Sequence, residues 1–217
     1  MQLFQQMETL KHRRPIFHSE ADFQFALAWE IQSAYPRAQV RLEVCPRGQP
    51  AMHVDILMWM DGKCYPIELK YKTLDLEYRD RGEDYWVKTH NAQDLGRYDC
   101  LKDLERMETL GRTMPAFGRG FTVVLSNDPS YWTVPAKDKP TQDSAFRIHE
   151  GLEKSGVCAW AGDANAGTVQ GREAPICLAG AYRVHWRTYS RLTNSRHGVF
   201  QYALFEVDAP PQRSASL

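Results

Sequence analysis

HVDILMWMDGKCYPIELKYK, residues 53–72, places two acids and an amine where the neighbouring residues ask for a buried hairpin. Two strand-like runs flank Asp61-Gly62, a dipeptide suited to a two-residue type I′ turn because both residues tolerate positive φ. With that turn Met60 faces Lys63 and Trp59 faces Cys64. Continuing the count sets Asp55 directly opposite Glu68 and His53 opposite Lys70. Residues two apart on a strand share a face, so Asp55, Glu68 and Lys70 are predicted on one side of the sheet. The 55/68 pair falls at a non-hydrogen-bonded position, where Cβ atoms approach to about 4.5–5.5 Å. Pro66, opposite Leu57, also falls at such a position, so its missing N–H costs this pairing nothing.

Directly opposed carboxylates repel by a few tenths to about 1 kcal/mol. Burial raises that cost unless a positive charge compensates. Lys70 is one candidate and a divalent cation the other. Mg²⁺ takes oxygen ligands, commonly one or two carboxylates plus waters and substrate phosphate, and the Ile67 carbonyl adds an oxygen beside Glu68. The pattern points to Asp55 and Glu68 as ligands of Mg²⁺ or Mn²⁺. Lys70 would then orient or deprotonate an attacking water, or stabilise charge on phosphorus. The plain alternative is a structural ion pair on a half-exposed hairpin.

Outward from the hairpin, HSEADFQFALAWEIQSAYP (18–36) predicts a helix, with Ser19 as N-cap and Pro36 as stop; Phe23, Leu27 and Ile31 share its buried face, and Glu30 is expected to face solvent. VRLEVC (40–45) alternates as a strand. After a polar loop, NAQDLGRYDCLKDLERMETLG (91–111) predicts a second helix capped by Asn91 and stopped by Gly111. Its stripe is Leu95, Tyr98, Leu101, Leu104 and Met107. Asp99, Asp103, Glu105 and Glu108 are expected on its exposed surface with Lys102 and Arg106. GFTVVLSND (120–128) reads as a buried strand ending in a turn at Asn127 and Asp128. A short helix near SAFRIHEGLEK (144–154) and two late strands, AYRVHWRTYS (181–190) and VFQYALFEV (199–207), complete the order. The fold class is α/β, a mixed central sheet flanked by helices.

Asp55 followed by Glu68-x-Lys70, between two helices and with a strand after the second, resembles the PD-(D/E)xK nuclease superfamily, the restriction-endonuclease-like fold. The resemblance covers about residues 18–126; the two late strands read above lie beyond that core as extra C-terminal strands. It adds Glu20, at the start of the first helix, as a further metal or water ligand. It also adds Gln93, matching a glutamine of RecB-like and VRR-type members, as a supporting active-site residue. Val54 stands where many members have proline. Arg97 stands where RecB-like enzymes have tyrosine, with Tyr98 one residue late; an arginine there can meet a phosphate. The implied function is hydrolysis of phosphodiester bonds in nucleic acid, with DNA preferred over RNA as the substrate. The alternative is a catalytically inactive nucleic-acid- or protein-binding module on the same fold, such as a defence-complex subunit. One nuclease-like domain over 1–208, elaborated after 127, and a disordered tail over 209–217 are expected.

The composition, 43% hydrophobic and 25% charged over 217 residues, allows one sizeable core. Net charge is zero, so bulk attraction to nucleic acid is weak. The charge is unevenly spread, however. Ala174 to Phe205 contains no acidic residue and interleaves Arg183, Arg187, Arg191 and Arg196 with Tyr182, Trp186, Tyr189 and Tyr202. Basic residues alternating with aromatics suit a phosphate backbone and exposed bases, so Arg183, Arg187 and Arg191 join Arg97 as nucleic-acid-binding candidates; a solvated sheet face is the alternative. Five scattered cysteines form no CxxC pair, which argues against zinc and disulfides and for a reducing, cytoplasmic setting. No apolar run approaches the roughly 18 residues a membrane helix needs. The partners expected are nucleic acid and a second copy or partner protein, not a membrane.

Overall fold

The structure, a computed structural model, describes residues 1–48, 52–136, 140–193 and 195–209. In chain order the elements are α1 (Leu3–Arg13), α2 (Glu20–Ala34), β1 (Gln39–Val44), β2 (Val54–Met60), β3 (Lys63–Lys72), β4 (Leu76–Asp80), β5 (Glu83–Val87), α3 (Gln93–Thr113), β6 (Arg119–Ser126), β7 (Glu153–Cys158), α4 (Ala166–Val169), β8 (Ile176–Arg183), β9 (Trp186–Arg191) and β10 (Val199–Asp208). A six-stranded sheet runs β1-β2-β3-β6-β10-β9; β3 and β6 are parallel and the other neighbours antiparallel. The α/β class with a mixed sheet is as expected. Among the described residues no helix is long and apolar enough to cross a membrane.

Both faces of the sheet are covered. Phe23, Leu27 and Ile31 of α2 and Leu3, Met7 and Leu10 of α1 pack on Ile56, Met58, Ile67, Leu69, Tyr71, Phe121, Val123 and Leu125. Leu101, Leu104 and Met107 of α3 pack on the other face with Leu57, Val124, Ala203 and Phe205. Alternation along β3 therefore aims Ile67, Leu69 and Tyr71 at α2, and Glu68 and Lys70 at α3.

The hairpin turns at Asp61-Gly62, whose φ values of 50° and 73° fit the type I′ turn. Its register is the expected one, from Met60↔Lys63 through Leu57↔Pro66 to Ile56↔Ile67. Pro66 matters on its other side, since β3 is an interior strand. The Cys64/Phe117 bridge and the ladder from Ile67↔Phe121 differ by one residue in register, and Pro66 sits at that shift. A missing N–H is tolerated where pairing is already broken.

Several expectations are corrected. Glu30 is buried against Arg13 at 3.1 Å, because α1, which carries no strong sequence signal, lies over α2. Ser19 does cap α2, accepting the Asp22 N–H. The second helix is led by Ala92 in a left-handed conformation, not by Asn91, and runs through Gly111 to Thr113. The polar loop after β3 contains the β4–β5 hairpin, turned at Arg81-Gly82 and held by buried Leu76, Tyr85 and Val87. The segment near 144–154 forms only a three-residue 3₁₀ turn, Ser144–Phe146, before β7. Residues 181–190 divide between β8, paired with β7 in a separate sheet, and β9 of the main sheet. The tail from residue 210 lies outside the described residues.

Candidate active site

β2 and β3 pair down to Ile56↔Ile67 and no further, so Asp55 and Glu68 lie where the two strands part. Parting leaves backbone groups of β3 without a strand partner, and buried N–H groups must find another acceptor. Asp55 Oδ2 accepts the Leu69 N–H at 2.6 Å, and Glu20 Oε2, from the first turn of α2, accepts the Tyr71 N–H at 2.7 Å. On β2 the Asp55 carbonyl accepts from Gln24 Nε2 at 2.7 Å, and the same amide reaches Glu43 at 2.6 Å. Glu43 has a φ of 51°, and the β1–β2 pairing skips both it and Asp55. Asp55 is thus lifted out of both ladders and held by side chains.

Glu68 and Lys70 meet α3. The Lys70 ammonium lies 2.6 Å from Asp103 Oδ2, and Arg106 bridges Asp103 Oδ1 and Glu68 Oε1 at 3.0 Å each. Arg106 also donates to the His53 carbonyl at 2.6 Å. Glu-x-Lys on the strand therefore meets Asp-x-x-Arg on the helix, charge against opposite charge. The exposed surface expected for Asp103 is wrong: it is buried, as is Glu108. Glu108 takes the Ala179 and Gly180 N–H groups and the Tyr182 hydroxyl, while Glu105 takes the Cys177 N–H, so these acids dock β8 on the helix. A signal for Asp103 was present, since Gly96, Cys100, Asp103 and Met107 recur at helical spacing.

The charges are unevenly balanced, with Asp55, Glu68, Asp103 and Glu20 around two cations. Burial raises the Glu68 carboxyl well above the carboxylate range, reinforced by Asp103 and Asp55, while Arg106 and Lys70 oppose. Burial also raises Asp55, against the Leu69 N–H and Lys70. For Lys70 burial works against the charge but is outweighed by Asp103, Glu20 and Asp55, so its ammonium holds its proton more tightly than usual.

Glu68 Oε1, Asp103 Oδ2 and Thr122 Oγ1 are buried without a hydrogen-bond partner, three of the five such atoms among the described residues. Thr122 is the register partner of Glu68 on β6, so all three face the same space between β3, β6 and α3. The Lys70 ammonium lies against Asp103 Oδ2, and Arg106 approaches Glu68 Oε1 at ion-pair distance but off the axis of a hydrogen bond. The Thr122 hydroxyl oxygen beside them has neither a hydrogen bond nor an ion-pair partner, and a buried group of that kind calls for a donor, a water or a cation. Asp55 and Glu68 fit the one or two carboxylates that Mg²⁺ takes from a protein. Among the described residues no group of three or more His, Cys, Asp or Glu side chains converges as an ion cage.

Gln93 and Arg97 sit at the start of α3, by the carboxyl ends of the parallel strands. Gln93 Nε2 donates to Asp128 at 3.1 Å, and Arg97 pairs with Asp143 at 2.6 Å and donates to the Ser130 carbonyl. Together with Asp94 they line a cleft of about 540 Å³. The three late arginines are not gathered at this site. Arg183 and Arg191 are exposed on β8 and β9. Arg187 lies over the Phe4 ring of α1, 5.1 Å from its centroid, on the sheet face opposite Lys70. In comparisons with known proteins, no family model, no curated sequence and no solved structure matches this chain.

Proposed function

We propose that the protein is a metal-dependent nuclease of the PD-(D/E)xK type, with a restriction-endonuclease-like core, hydrolysing phosphodiester bonds of nucleic acid and preferring DNA. The observation that carries this is the convergence of Asp55, Glu68 and Lys70 where β2 and β3 part, with more buried carboxylates than cations around them. Asp55 and Glu68 would hold Mg²⁺ or Mn²⁺, with Glu20 alongside. When bound, that ion polarises the phosphoryl oxygen and makes water a stronger nucleophile at neutral pH.

The remaining roles fall to the chain itself. Lys70 is a poor base because its neighbours favour the charged form. Its task is to place a fixed positive charge where negative charge grows in the transition state. Glu20 and Asp55, bound to consecutive outward N–H groups of β3, are thereby fixed beside the point where the strands part. Gln93 and Arg97 line a cleft with Asp94, Asp128 and Asp143, where Arg97 would have to leave Asp143 to meet a flanking phosphate.

A second reading, a non-catalytic binding module, has one observation in its favour: Glu68 and Lys70 already have charged partners on α3. The two readings separate on one experiment. Purified protein is incubated with labelled single- and double-stranded DNA and RNA in Mg²⁺, Mn²⁺ or chelator. The nuclease reading expects metal-dependent products, most readily from DNA. Binding without cleavage in every metal supports the module.

A further inference from the structure

We infer that Arg106 is a resident counter-cation which competes with the divalent ion for Glu68 and so sets how readily the site loads. The inference rests on the nuclease reading of Asp55 and Glu68. Arg106 makes its aligned hydrogen bonds elsewhere, to Asp103 Oδ1 at 3.0 Å and to the His53 carbonyl at 2.6 Å. Toward Glu68 it supplies charge at 3.0 Å with no aligned bond, leaving Glu68 Oε1 without a hydrogen-bond partner. A guanidinium fork anchored at two other points can give up Glu68 and keep its place.

Geometry makes the exchange feasible. The Arg106 side chain is 24% exposed while that of Glu68 is 2% exposed, so the guanidinium lies on the solvent side of the carboxylate. Its hold on the His53 carbonyl, just before β2, places it beside the strand carrying Asp55. An ion bridging Asp55 and Glu68 must therefore offset the attraction of Arg106 for the same oxygen. Asp103 has the opposite effect, because it draws both Lys70 and Arg106 toward α3 and away from Asp55 and Glu68.

The test uses Mn²⁺ alone, titrated calorimetrically into the full-length chain without nucleic acid. Arg106→Gln should bind Mn²⁺ more tightly than wild type, on the order of tenfold, the size of a single coupling free energy. Asp103→Asn should bind it more weakly, because both internal cations then turn to the remaining carboxylates. Damage to the fold alone would weaken both variants, so opposite signs distinguish competition from disruption. Arg106→Met, which removes the charge and keeps much of the apolar stem, serves where the glutamine variant fails to fold; it should also bind more tightly than wild type. Binding by wild type with unchanged or weaker affinity in the folded Arg106 variant overturns the inference and leaves the nuclease reading standing. Absence of Mn²⁺ binding in wild type and both Arg106 variants removes the metal reading as well.

Discussion

Asp55 Oδ2 accepts the Leu69 N–H at 2.6 Å, so a carboxylate takes the place on β3 that a neighbouring strand's backbone would otherwise fill. This bond needs an acceptor but not a charge. Asp55→Asn should therefore be about as stable as wild type in urea, since the amide oxygen still accepts and one repelling charge is gone. Asp55→Ala strands the N–H and should cost about 1–3 kcal/mol. Equal destabilisation of both variants would mean that the charge, not the bond, holds the strands here.

Lys70 and Asp103 are joined at 2.6 Å, but removing the lysine leaves Asp103 with Arg106. Lys70→Ala should therefore fold and retain Mn²⁺ binding. Its cleavage rate should fall by roughly two or more orders of magnitude, as when a group acts mainly in the transition state. Single-turnover cleavage at saturating metal measures this, and a loss of only a few-fold would return Lys70 to a structural role.

The raised Glu68 carboxyl gives a pH signature in chelator. Burial, with Asp103 and Asp55, lifts it above its ordinary value of 4.5, while Arg106 and Lys70 oppose. The fold then favours its protonated form. Its contribution is fully present below the unfolded value and is lost as pH climbs toward the folded one. The raised Lys70 does not offset this, because its stabilisation persists up to its ordinary value of 10.5. Wild type should thus lose melting temperature relative to Glu68→Gln as pH rises from about 5 through the neutral range. A constant difference across that range would show Glu68 charged throughout.

Much of this site is legible in the sequence because a two-residue turn fixes register. Asp61-Gly62 alone determines that Asp55, Glu68 and Lys70 share a face. The point at which β2 and β3 part is not legible, because it depends on Gln24 and Glu43 from other elements holding Asp55 out of its ladders. Asp103 and Arg106 pass for surface residues when the apolar stripe of α3 is counted without its polar members. Helix α1 escapes for a related reason: its polar residues meet partners far along the chain, such as Tyr202, whose hydroxyl donates to the half-buried Glu8.

The late basic segment divides into residues of different prospects. Arg183 and Arg191 are exposed, whereas Arg187 is committed to Phe4. In DNA-binding titrations over a range of salt, Arg183→Ala and Arg191→Ala should each weaken affinity and flatten the salt slope by about one unit for each phosphate no longer neutralised. Arg187→Ala should leave the slope unchanged. A matching loss from Arg187→Ala would show that its side chain leaves Phe4 to reach the backbone.

The decisive measurement is the rate at which labelled DNA is cut in Mn²⁺ by wild type and by Glu68→Gln, purified identically and compared at equal concentration. Glu68 is the carboxylate that lies between the sheet and the charged residues of α3. Wild type should cleave in a manner that chelator abolishes, and the variant should show nothing above background. Equal cleavage by both proteins, or none by wild type in either Mn²⁺ or Mg²⁺, would contradict a metal-dependent nuclease built on Glu68.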